Sequence, residues 1–192
     1  DLAFDPNRPP EQPREGQSKE SFNADVDAWK DRKKDYNKRV EVIGEARNSA
    51  EETLAQIDRV LAHPGLPGIV GKMGMVPNIP GSDASNAQAE LDKVKGGTFL
   101  TAVKAMKGSG AVSNIEGEKA QAAIAALSQK QSEDQIRKNL IEYANFIKRT
   151  INTADAAIGE RPTYPDVPKA GTETVTPADK ARAELERRRK GQ

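Results

Sequence analysis

The chain has 192 residues, 35% of them hydrophobic, 4% aromatic and 31% charged, against roughly 45–50% apolar residues (glycine included) in an ordinary globular domain. Lys and Arg number 30 against 29 Asp and Glu, for a net charge of +1, which excludes a polybasic nucleic-acid wrapper and an acidic tail. There is no cysteine, which excludes disulfides, thiolate metal sites, iron–sulfur clusters and a cysteine nucleophile.

No apolar run approaches the roughly 18 residues of a spanning helix, and no secretory signal is visible. Asp1 in place of Met marks a processed chain or a trimmed piece of a longer one. The composition fits an elongated all-α protein, a helical bundle or coiled-coil-like rod with extended N- and C-terminal arms.

Residues 1–20 carry Pro6, Pro9, Pro10 and Pro13 among alternating charges, with Leu2 and Phe4 as their only large apolar side chains. They form the N-terminal arm, mobile unless a partner orders it. A helical domain follows at 21–158. Phe22, Val26, Trp29, Lys33, Tyr36, Val40, Ile43, Arg47, Ala50, Leu54, Ile57 and Leu61 alternate in steps of four and three. That 3.5-residue period is a coiled-coil seam, and it predicts a helix at about 20–62, roughly 60 Å long. Lys33 and Arg47 interrupt the seam, as register-fixing polar residues do.

His63-Pro64-Gly65 stops this helix. Residues 63–83 make an apolar Gly/Pro connector with Leu66, Ile69, Val70, Met73, Met75, Val76 and Ile79. It is too apolar for a solvated loop, so it should lie on the bundle or on another subunit. Short helices are expected at 85–107, relaxed at Gly96-Gly97, and at 113–128, opened by the capping-box pattern Ser113-x-x-Glu116. A second capping box, Ser132-x-x-Gln135, opens a long helix at 132–158. Its apolar residues, Ile136, Leu140, Tyr143, Ile147, Ile151, Ala154 and Ile158, follow an eleven-residue repeat that is nearly straight. Residues 159–192 form a Pro-rich linker and a basic tail, with a last helix at 178–191 ending in Arg187-Arg188-Arg189-Lys190.

No catalytic, cofactor or metal site assembles from these residues. His63 is the one histidine, and it sits at a helix stop with no nucleophile motif nearby. The run Gly65–Met73 imitates a phosphate loop. Its spacing to Gly71-Lys72 is off by one, however, and Met73 stands where the Mg²⁺-binding hydroxyl belongs. Glu116 and Glu118 suit a helix's first turn better than a glycosidase pair. Candidate subunit contacts are Phe22, Trp29, Tyr36, Leu66, Ile69, Val70, Met73, Met75, Val76 and Ile79. Candidate DNA phosphate contacts are Lys30, Arg32, Lys33, Lys34, Lys38 and Arg39, together with Arg187, Arg188, Arg189 and Lys190.

One stretch also has a family likeness. It runs from Leu61-Ala62-His63-Pro64-Gly65-Leu66 through Ile79-Pro80-Gly81-Ser82-Asp83-Ala84 and Thr98-Phe99-Leu100. Met106–Ser113, Glu116-Gly117-Glu118-Lys119, Ala122–Leu127 and Gln131–Leu140 complete it. Residues 61–147 thus resemble a helical module of tailed-bacteriophage and prophage proteins of the DNA ejection (injection) or internal virion type. The resemblance implies a virion structural protein at the portal–tail vertex or inside the particle. It would assist genome delivery and reach the host envelope with the DNA. It also implies other virion proteins (portal, tail or ejection proteins) as partners, a homo-oligomer within the particle, and no catalytic residues. The alternatives are a connector that stays in the particle and a DNA-binding packaging accessory. Membrane contact by the 63–81 segment is the lesser option, because its irregular backbone cannot span a bilayer.

Overall fold

A computed structural model describes residues 4–70, 79–127, 131–165 and 167. Met73, Met75, Val76, Arg187, Arg188, Arg189, Lys190 and the side chain of Glu116 lie outside the described residues. Everything regular among the described residues is helical. The order is α1 (Lys19–Ala62), a 3₁₀ turn (Leu66–Ile69), α2 (Asp83–Lys95), α3 (Thr98–Gly108), α4 (Asn114–Ala125) and α5 (Glu133–Ala157). No described helix is long and apolar enough to cross a membrane.

Serine starts three of these helices by the same device. The hydroxyls of Ser18, Ser82 and Ser132 accept from the backbone N–H groups of Ser21, Ser85 and Gln135, satisfying donors that lack an intrahelical partner. The Ser132 box is only half closed. Gln135 Nε2 turns away to donate to Asn139 Oδ1 at 2.8 Å. Asn139 in turn donates to the Ala126 carbonyl at 2.8 Å, joining the end of α4 to α5. The single helix expected at 85–107 is two helices. Gly97 adopts φ 73° between them, and α3 starts in a new direction there.

α1 is the central element, touching α2, α3 and α5, while α4 bridges α3 and α5. α1 and α5 run antiparallel. Arg47 meets Asp155 near one end, and Arg137 Nη1 donates to the Leu61 carbonyl at the other, 2.7 Å away. The α5 stripe Ile136, Leu140, Tyr143, Ile147, Ile151, Ala154 and Ile158 is wholly buried. On α1 the buried face differs from the narrow seam. Ile43, Ala50 and Ile57 are buried as the seam requires, but Ala46, Thr53 and Val60 join them. Leu54 and Leu61 pack at the margin of the core. A helix held between α2/α3 and α5 needs a wide stripe, and a two-stranded seam is narrower than that.

The connector corrects one expectation. Leu66 and Ile69 are fully buried and Val70 nearly so, so these three pack into the chain's own core and are not available as subunit contacts. The 3₁₀ turn lies against α2, and the fit is tight at Gly65. A Cβ there would sit 2.1 Å from the Asp83 carbonyl oxygen. That contact is backbone on backbone, so no rotamer relieves it. Gly65→Ala should therefore cost roughly 1–3 kcal/mol, measured as a shift in the urea midpoint. An unchanged midpoint would mean that the turn and α2 do not approach this closely.

Candidate interaction site

The polar centre of the molecule lies where α5 ends. Asp155 has no solvent exposure, and a buried carboxylate must be compensated. Its Oδ1 accepts from Arg47 Nε at 3.0 Å and from Arg47 Nη2 at 2.6 Å. Its Oδ2 accepts from the Thr163 N–H and the Thr163 hydroxyl, both at 2.8 Å. Arg47 also pairs with Glu160. Burial alone would lower the Arg47 pKa, but hydrogen bonds to Asp155 and Glu160 outweigh it and hold the guanidinium above its ordinary value. Arg47 is thus no register device in a coiled-coil seam. It is the α1 half of an ion pair with α5.

Asn152 repeats the pattern one turn earlier. It accepts from the Tyr164 N–H at 3.0 Å and donates to the Tyr164 carbonyl at 2.6 Å. The expected linker at 159–192 therefore begins with residues bound back onto α5. Sequence reasoning missed this lock because Asn152 and Asp155 look like ordinary polar positions on a helix. Their partners sit on another element and in an irregular segment. The one available signal was a pair of polar residues three apart beside the apolar stripe.

α1 changes character at the lock. Tyr36, Val40 and Val42 pack against the core, and the Tyr36 hydroxyl donates to the Ile158 carbonyl at 3.4 Å. Before them, Lys19–Asp35 contains no buried residue. This half-helix extends about 25 Å. Phe22, Val26 and Trp29 line one side of it and are each half-buried. Residues 4–18 supply the cover among the described residues. Trp29 Nε1 donates to the Asp5 carbonyl at 3.0 Å. Phe4 meets Tyr36 edge-on at 6.4 Å between ring centroids, and the Arg32 guanidinium lies 5.5 Å from the Phe4 ring centre. Gln17 Nε2 donates to Asp25 Oδ2 at 2.7 Å.

The other expected site residues divide. Ile79 is 76% exposed. Lys33 stacks over Trp29 at 5.1 Å. Lys30, Lys34 and Lys38 are exposed and form one i, i+4 row. Each has an aspartate three residues before it (Asp27, Asp31 and Asp35), and the first pair is closed at 2.9 Å. Arg39 is exposed, near Gly110. The basic row is therefore flanked by an acidic one.

His63 Nδ1 accepts from the Gly65 N–H at 3.0 Å, so it shapes the turn that ends α1. A shallow groove beside it is lined by Arg59, Asn86, Glu90 and Lys93. The hydrogen bond from Lys93, then that from Arg59, keeps Glu90 below the usual carboxylate range against a desolvation penalty. Among the described residues, no group of three or more His, Asp or Glu side chains converges on one point. No family model, curated protein or solved structure matches this chain.

Two outcomes follow from the core. Arg47→Ala leaves Asp155 buried with only the Thr163 donors and should cost roughly 3 kcal/mol, read by chemical denaturation. A loss within the noise would mean that Asp155 is hydrated. Tyr143 is fully buried and its hydroxyl has no partner, and burial pushes its pKa from 10.0 up to about 12. The folded state thus holds the phenol proton longer than the unfolded state does. Its share of stability is complete below pH 10.0 and is lost as pH rises toward about 12. Tyr143→Phe should be neutral or slightly stabilising at pH 7 and should flatten the alkaline decline. An unaltered alkaline profile would contradict this.

Proposed function

We propose that this chain is a non-enzymatic structural component of a tailed-bacteriophage particle, of the DNA ejection or internal virion type. It would work at the portal–tail vertex in genome delivery and reach the host envelope with the DNA. The observation that carries the reading is the division of α1. A helix with an aromatic 4-3 seam over Lys19–Asp35 stands outside the body, and its seam is only half covered. Such a seam stabilises a protein chiefly when another surface completes it. The stretch that resembles phage modules, 61–147, falls on the body, from the end of α1 into α5. The outer half-helix and the arm are then free to attach that body to its neighbours, which are other virion proteins and further copies of this chain.

The packaging-accessory reading is less favoured. The aspartate row beside Lys30, Lys34 and Lys38 weakens the field that a phosphate backbone would meet. Mass spectrometry of purified particles should find the protein, with less of it in particles that have released their DNA. Absence from particles would refute the virion reading, and full retention after release would make it a connector. Duplex binding whose affinity falls steeply with salt would restore the DNA reading.

A further inference from the structure

We propose that residues 4–15 form an exchangeable clasp, docking on the Phe22–Tyr36 seam of a second copy of this chain as they dock here on their own. The occupant is identified by the structure, because this segment already sits on this face. Trp29 Nε1 bonds the Asp5 carbonyl, Phe4 meets Tyr36, and the Arg32 guanidinium lies over the Phe4 ring. Trp29 and Arg32 belong to the half-helix that lies outside the body, and Tyr36 stands at its junction with the body. A copy of the arm coming from a neighbour would reproduce each of these contacts without disturbing α2–α5.

The chain is built to allow the exchange. The arm reverses onto α1 through a turn in which the Gln17 N–H donates to the Arg14 carbonyl at 2.9 Å. Gly16 occupies that turn with φ +77° and nothing within 4 Å of a Cβ placed on it. Gln17 ties the α1 side of the turn to Asp25, whereas Gly16 itself meets no neighbour, so the chain can open at Gly16 as a hinge. Beyond it, Pro6, Pro9, Pro10 and Pro13 fix φ, and a turn at Pro6-Asn7, in which the Arg8 N–H donates to the Asp5 carbonyl at 3.3 Å, shapes the end that docks. An arm so restricted loses little conformational freedom on docking, in either copy. Lying in cis, it must cover about 27 Å from the start of α1 to Tyr36. Fully extended, its reach is about 45 Å, so it is long enough to cross to an adjacent molecule. Exchange keeps the docked contacts and opens the turn, which is the usual route to a swapped dimer or, if it does not close, a chain of subunits.

The inference rests on the seam being an assembly surface and does not depend on the particle it serves. The absence of cysteine makes the test direct. Full-length Asp5→Cys and Lys33→Cys single variants are mixed and treated with a short bismaleimide over a range of protein concentrations. Crosslinks between the two variants that increase with concentration are expected. Phe4→Ala, added to the Asp5→Cys chain, should suppress them while circular dichroism stays unchanged. Gly16→Ala disfavours the left-handed turn and should raise the crosslinked dimer roughly three- to tenfold. If linkage occurs only within the Asp5→Cys/Lys33→Cys double variant, and the mixed singles stay unlinked at hundreds of micromolar, the proposal is overturned. Dimers unaffected by Phe4→Ala would overturn it as well, since they would use another surface. Neither failure would bear on whether the protein is found in particles.

Discussion

The Asp155 carboxylate has no contact with solvent, yet it lies between an exposed helix end and an irregular segment. A charge in that position persists only if every lone pair facing the protein is met. Arg47 and Thr163 meet them, each with two donors. Three distant parts of the sequence are thereby fixed together: the middle of α1, the end of α5, and the segment after it. The lock sets how far along α1 the helix bundle reaches. Below Arg47, α1 is a core helix with a wide buried stripe. Above Tyr36, it is a half-helix whose only described cover is the N-terminal arm.

The low apolar content takes on a definite meaning in this light. It does not support a core spread over the whole chain. It does suffice for a five-helix body in which α1 supplies one stripe, α5 another, and α2–α4 and the 3₁₀ turn close the remaining sides. The aromatic side chains outside that body, Phe4, Phe22 and Trp29, lie along one face of the outer half-helix or on the arm that covers it. This separation lets the body keep its fold whether or not the outer face is occupied.

Legibility followed the range of the interaction. The α5 stripe was readable in full, because each of its apolar residues faces one continuous core. Among the capping serines only Ser132 is legible, because Gln135 completes the capping-box pattern; Ser18 and Ser82 have a serine three residues on and carry no such signal. The α1 face was readable only in part. Period alone placed Ile43, Ala50 and Ile57 correctly. It could not show that packing against two layers would bury Ala46, Thr53 and Val60 while drawing Arg47 to a carboxylate on another helix. Leu66, Ile69 and Val70 were recognised as needing burial, but composition does not say whether the covering surface belongs to the same chain. The outer half-helix was expected to be helical with a seam. That its own Pro-rich arm lies on that seam depends on the Trp29 indole finding a backbone carbonyl, which no spacing rule reveals.

Amide hydrogen exchange of the full-length protein at low concentration tests the division of α1 most directly. Amides of residues 43–62 should be protected close to the global stability, with those of 19–35 exchanging through local opening at least a hundredfold faster (roughly 3 kcal/mol less protected). The step should fall near Tyr36–Val40. Uniform protection along all of α1 would contradict the account, because it would place Lys19–Asp35 inside the cooperative body.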